Sequence, residues 1–228
     1  MTSKRPLWVD VLLLTLSGIV FIALTALGTW QVQRLGWKLD LIEQVEARAY
    51  AAPIVAPYQD AKEYQRVTVH GSYLHGETLR IKAVTELGPG FWVMTPMTTD
   101  NQTIWVNRGF VPSGMNQTEW TAPNSPQFVT GFVRLPIPDG TWLEKNDPVS
   151  GRWFSADIPM MSARADLINV AAYYIDAVGP QTGWPRGGLT KLTFRNTHLT
   201  YAITWYAMAA LFAFGIGYVI RERRNGPD

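Results

Sequence analysis

Two uncharged stretches at opposite ends of the chain constrain it more than anything between them. Val11 to Gln33 is 23 residues without a formal charge, and Asn196 to Ile220 is 25, apart from the titratable imidazole of His198. About 20 apolar residues, rising roughly 1.5 Å each, cross the roughly 30 Å hydrocarbon layer of a bilayer. Both stretches therefore read as transmembrane helices, with one folded domain between them and both termini on the same side. The expected organisation is a tail over 1–10, a first transmembrane helix over 11–33 and a domain over 34–195 that opens with a helical stalk over 34–50. A second transmembrane helix over 196–220 and a tail over 221–228 complete it. The fold class is an α+β membrane protein in which two transmembrane helices flank an extracytoplasmic, mainly antiparallel β domain.

Charge orients the chain. Lys4, Arg5, Arg221, Arg223 and Arg224 crowd the two tails. Setting these aside from the 20 basic residues, and Asp10, Glu222 and Asp228 from the 18 acidic ones, leaves 15 of each between the helices. A neutral domain with basic tails puts both tails in the cytoplasm by the positive-inside bias. Arg34, Lys38, Lys191 and Arg195 flank the other side, but long domains translocate largely regardless of charge. The net charge of +2 makes no case for nucleic acid. The first apolar stretch is too long for a signal-peptide core and has no clear small-x-small cleavage site, so it reads as a retained anchor. Only ten residues precede it, which favours a bacterial plasma membrane over a mitochondrial precursor. The chain has no cysteine. That excludes disulfides, thiolate metal sites, thiol redox chemistry and covalent haem attachment.

Periodicity divides the middle. Leu35, Leu39, Ile42, Val45 and Ala49 recur at helical intervals among charges, which extends the first helix as a stalk until Pro53 and Pro57 stop it. From Tyr64 the period becomes two. Strands are expected around Val67–Val69, Leu79–Ile81, Phe91–Thr95, Thr103–Val111, Gln127–Leu135 and Tyr173–Val178, with a short one at Trp153–Phe154. Gly88-Pro89-Gly90 reads as a turn, and Asp157–Val170 as a helix. Strands rich in Val, Ile, Thr and aromatics between Gly, Pro and Asn turns indicate an antiparallel sheet or small barrel.

Catalytic constellations are missing: no Gly-x-Ser-x-Gly, no phosphate-binding Gly-Lys-Ser/Thr loop and no His-Glu-x-x-His. No enzyme is expected. His70 and His75 read as a strand and a loop histidine. His198 differs, because ionisable groups inside a membrane usually have a role or a partner. Asn196 as N-cap puts His198 in the first helical turn, where the positive end of the helix dipole sits badly with a second cation. A neutral imidazole is the form that ligates haem iron. Tyr201 and Trp205 follow at i+3 and i+7. On the first helix, Trp30, Arg34 and Trp37 fall at i, i+4 and i+7. If these two faces meet, an aromatic slot holds His198 as axial iron ligand and Arg34 against a haem propionate. The competing reading is an interfacial aromatic belt, with Arg34 snorkelling to phosphates. Asn107-Arg108-Gly109 reads as a strand end that docks a partner or holds a carboxylate, or as a turn beside a surface arginine.

Five blocks in order resemble the Surfeit locus protein family of cytochrome c oxidase assembly factors. They are Leu27-Gly28-Thr29-Trp30-Gln31-Val32-Gln33-Arg34-Leu35-Gly36-Trp37-Lys38, Tyr64 to Leu74, Gly90 to Pro96, Val106 to Pro112, and Asn196-Thr197-His198-Leu199-Thr200-Tyr201-Ala202-Ile203-Thr204-Trp205-Tyr206. The resemblance implies two transmembrane helices around a periplasmic or intermembrane-space domain. It also implies a role in maturing the haem a centres of oxidase subunit I, with transient binding of haem a. The histidine implicated in the family maps onto His198. Expected partners are oxidase subunit I, haem a synthase and the lipid bilayer. The alternative function is a membrane chaperone or accessory subunit that stabilises subunit I without binding haem.

Overall fold

The computed structural model describes residues 6–56, 59–116, 125–179, 182–189, 194 and 196–225. Lys4, Arg5, Pro57, Lys191 and Arg195, invoked above, lie outside them. Two compact units divide the chain, residues 1–43 with 193–228, and residues 44–192.

The first unit is a pair of helices, α1 (Leu7–Ala49) as far as Glu43 and α3 (His198–Asn225). Neither has an internal proline, and both are rich in Leu, Ala and other residues that keep most of their rotamer freedom in a helix. Both are long and apolar enough to cross a bilayer. At 43 residues α1 is about 64 Å long. It outlasts the apolar stretch and continues through the charged segment to Ala49. The hydroxyls of Thr15, Thr25, Thr29 and Thr204 each bond the carbonyl four residues back, at 2.8–2.9 Å. A polar group in a lipid-facing helix needs such an internal partner. Leu12, Leu16, Ile19 and Ile22 on α1, and Ile203, Leu211 and Phe214 on α3, are exposed. That contiguous apolar surface is what a hydrocarbon solvent would cover.

The second unit is a sheet of seven strands: β1 (Ile54–Val55), β2 (Arg66–Tyr73), β3 (Leu79–Thr85), β4 (Gly88–Thr98), β5 (Thr103–Pro112), β6 (Gln127–Arg134) and β7 (Val170–Ala177). The order is β1-β2-β6-β7-β5-β4-β3, and a further β2–β4 pairing closes β2, β6, β7, β5 and β4 into a five-stranded barrel. Closure runs through Ser72 opposite Thr98 and Tyr73 opposite Met97. Gly71 permits it, since a Cβ there would stand 2.2 Å from the Thr98 carbonyl oxygen. Pairing is mainly antiparallel, with β5–β7 and β1–β2 parallel.

Alternation sorts the side chains. Val67, Met97, Ile104, Val106, Val133 and Ile175, each at most 1% exposed, fill the barrel. Each such burial is worth about 1.5–3 kcal/mol over exposure. The opposite face of β5 is covered too. Trp105 packs with Met94, Trp153, Ile158 and Met161, and its Nε1 donates to Ser162 Oγ at 3.0 Å. Ser162 belongs to α2 (Ile158–Arg164), whose N-cap Asp157 accepts from Met160 N at 3.0 Å.

Three local expectations are corrected. Gly88-Pro89-Gly90 is the start of β4, and the turn is Glu86–Leu87. Trp153 makes one bridge to Ile81 instead of a strand. The helix expected over Asp157–Val170 ends at Arg164, and Val170 already belongs to β7.

Candidate functional site

The helix pair meets along a stripe with a heptad-like spacing. On α1 the covered positions include Gly28, Gln31, Leu35 and Lys38, and on α3 His198, Ala202, Trp205, Ala209 and Phe212. Steps of three and four residues keep one face toward a partner helix. Gly28, Ala202 and Ala209 are small and buried, which lets the backbones approach. A Cβ on Gly28 would stand 2.8 Å from the Tyr206 ring, and the Tyr206 hydroxyl meets Thr29 Oγ1 at 3.0 Å.

His198 sits in this seam. Its Nδ1 lies 2.7 Å from Gln31 Oε1 on α1. An amide oxygen only accepts, so in this arrangement Nδ1 carries a proton, and in the neutral imidazole Nε2 would be the nitrogen with the free lone pair. A hydrogen bond to one ring nitrogen is how proteins fix the tautomer and orientation of a ligating histidine. The Thr197 carbonyl accepts from Tyr201 N at 3.2 Å, so Thr197 and not Asn196 stands at the N-cap position; Asn196 Oδ1 still accepts from His198 N at 3.2 Å, and the imidazole is in the first turn.

The structure brings together only part of the expected constellation. His198 and Trp205 share the covered stripe, whereas Tyr201 is 54% exposed. Trp30, Arg34 and Trp37 are exposed on a different face of α1, with the Arg34 guanidinium 4.1 Å from the Trp37 ring centroid. The two aromatic faces therefore do not meet as a slot around His198. A four-residue step followed by a three-residue step also fits Gln31, Leu35 and Lys38, and burial selects that set. The cation on the covered side is Lys38, whose Nζ lies 5.5 Å from the Phe194 ring. Gln31, Gly28 and Tyr206 were missed, although all three stand inside the quoted sequence blocks. The spacing of small residues opposite one another was the available signal. Elsewhere, His70 stacks on Phe128 at 4.4 Å and His75 lies 5.6 Å from Tyr73. Among the described residues no group of three or more His, Cys, Asp or Glu could hold a metal ion.

Polar side chains in the β domain are locked to each other. Asn107 Nδ2 donates to Asp176 Oδ1 at 2.9 Å, and Asn107 Oδ1 accepts from Gly109 N at 3.1 Å. Arg134 reaches Asp176 Oδ2 at 3.4 Å and Glu63 Oε1 at 3.3 Å. Burial works against the Arg134 charge, but Asp176, Tyr174, Tyr64 and Glu63 outweigh it and raise the pKa. Asn107, Arg134, Tyr174 and Asp176 line a cavity of about 870 Å³. With both its oxygens engaged, Asp176 is a structural anion.

Asn107-Arg108-Gly109 is not the strand end it resembled. All three lie within β5, Asn107 and Arg108 being 9% and 8% exposed. Gly109 has φ +127°, and a Cβ there would stand 2.4 Å from the Arg186 backbone. The Arg108 guanidinium stands 5.1 Å from the Tyr73 ring centroid. Burial lowers the Arg108 pKa against the opposing effect of Tyr73, and burial pushes the Tyr73 phenol up to about 12.

Fold and seam together define a class: a protein with two helices of spanning length, an imidazole clamped between them, and a closed five-stranded barrel domain. Residues 18–210 match the model of the SURF1 family. The chain is 34% identical to Surfeit locus protein 1 of Rattus norvegicus, over 86% of this chain and 72% of that one. It is 33% identical to Surfeit locus protein 1 of Homo sapiens over 86% and 74%. Against the same protein of Takifugu rubripes the figures are 31%, over 82% and 88%. The chain belongs to the SURF1 family.

Proposed function

We propose that this protein binds haem a transiently through His198 and delivers it to subunit I of a haem-copper oxidase, with haem a synthase as a further partner. The SURF1 family is one of cytochrome oxidase assembly factors and not of enzymes. The observation that supports the reading is the His198–Gln31 hydrogen bond, which engages Nδ1 and so favours Nε2 of the neutral imidazole as the nitrogen for iron. Trp205 shares the covered stripe and supplies an aromatic wall. Bound haem would supply the coloured, exchangeable iron centre, and one weak axial ligand suits a carrier that must release its cargo. Both tails are assigned to the cytoplasm and the β domain to the periplasm of a bacterial cell membrane. The charge bias and the apolar surfaces of α1 and α3 support that placement.

The test is pigment. Full-length protein purified from haem a-producing cells carries a haem spectrum, and His198→Ala loses it while keeping its fold by circular dichroism. Haem content equal to the parent's in a folded His198→Ala protein sinks the assignment.

One observation favours the second reading, a chaperone or accessory subunit that stabilises subunit I without haem. Trp30, Arg34 and Tyr201 turn outward, where a client helix would meet them. A colourless protein that still co-purifies with subunit I would support this reading.

A further inference from the structure

A second cavity, of about 570 Å³, lies in the β domain and is lined by Arg66, Arg108, Tyr73, Phe128 and Trp184. No Asp or Glu stands among the described residues that line it. Two arginines elsewhere in this domain hold carboxylates: Arg134 takes Asp176 and Glu63, and Arg152 takes Asp147. Arg66 differs, because its Nε is buried with no hydrogen-bond partner. Arg186 follows the Trp184-Pro185 wall of the cavity, and its Nε is likewise buried without a partner. The Arg186 guanidinium lies 4.8 Å from the Trp184 ring centroid, as Arg108 lies 5.1 Å from Tyr73. Stacking on a ring orients each guanidinium.

An oxyanion that enters a cavity lined by two arginines, with no carboxylate among its described lining residues, meets a positive potential. Arginine presents a planar fork that matches carboxylate or phosphate. Phe128, Trp184 and Pro185 meanwhile provide an apolar wall. We propose that this cavity binds an oxyanion, a carboxylate or phosphate, carried on an apolar body and gripped by Arg66 and Arg108. The site belongs to the β domain and is independent of His198.

The experiment uses the full chain in phosphatidylcholine nanodiscs, with 4-(trifluoromethyl)benzoate as the probe and its ¹⁹F line broadening as the readout. The benzoate broadens, and the neutral 4-(trifluoromethyl)benzamide does not. Arg66→Gln and Arg108→Gln each weaken benzoate binding about tenfold or more, the loss expected for a charged hydrogen bond. Without ligand, Arg66→Gln unfolds at the same temperature as the parent or higher, since it removes an unsatisfied charge; a purely structural arginine would lower it. Displacement of benzoate by inorganic phosphate identifies a soluble ligand. Loss of broadening in phosphatidylglycerol nanodiscs alone identifies a lipid headgroup. Both outcomes support an oxyanion site. Equal broadening by the benzamide, or unchanged benzoate affinity in a folded Arg66→Gln protein, overturns it.

Discussion

Gln31 holds the key to the imidazole. If its amide sets the His198 tautomer, Gln31→Leu removes the acceptor while keeping the seam apolar. The hydrogen bond itself is worth about 0.5–1.5 kcal/mol, so the protein still folds. The expected outcome is haem content between those of the parent and His198→Ala, measured by pyridine haemochrome on purified protein. Parent-like occupancy in Gln31→Leu shows that the seam bond is irrelevant to haem. His198 was legible in the sequence because an ionisable group in a spanning segment is exceptional. Gln31 was not, because a glutamine among Trp30, Arg34 and Trp37 attracts no notice until burial chooses the face. Arg66 and Arg186 were invisible for a related reason: only a folded barrel shows which arginine lacks a carboxylate.

Elements were read better than their ends. The two long helices, the stalk and six of the strands follow from hydropathy and period-two alternation. β1 did not, since two residues beside prolines carry no periodicity. The α2 boundary failed because Met160, Met161 and Leu167 mimic a longer helical stripe, although Leu167 and Val170 serve the same outer core beyond the helix end. Asp157 stabilises that junction twice, capping α2 and accepting from Asp139 N at 2.8 Å. Asp157→Ala should therefore cost about 1–2 kcal/mol, read as a lower midpoint in urea unfolding of the full chain. For the helix pair, Gly28→Leu puts a branched side chain where Tyr206 packs. The chain has no native thiol to interfere. A Gln31→Cys, His198→Cys pair, which keeps Tyr206, should be joined by a short bis-maleimide, and the added Gly28→Leu should abolish the crosslink. Efficient crosslinking despite Gly28→Leu would show that close helix approach does not need the glycine.

At the scale of the molecule, buried phenols set an alkaline limit. Burial pushes Tyr73 and Tyr173 up to about 12 from an ordinary value of 10.0, and raises Tyr174 further in the presence of Asp176. A group whose folded pKa is raised contributes stability that is complete below its unfolded pKa and is lost as pH rises through the folded one. The β domain should hold its full stability up to about pH 10 and lose it toward about pH 12. Circular dichroism against pH checks this, and a flat profile across that window contradicts it. Barrel closure has another consequence. Among the described strands, β1 and β3 alone lie outside the ring. β1 is two residues long, and β3 is met by Trp153, whose carbonyl accepts from Lys82 N at 2.8 Å. β1 therefore offers almost no open edge, and the row of open amides on β3 is interrupted at its middle. For a member of an assembly-factor family, so little open edge among the described strands leaves a stray apolar segment few places to join.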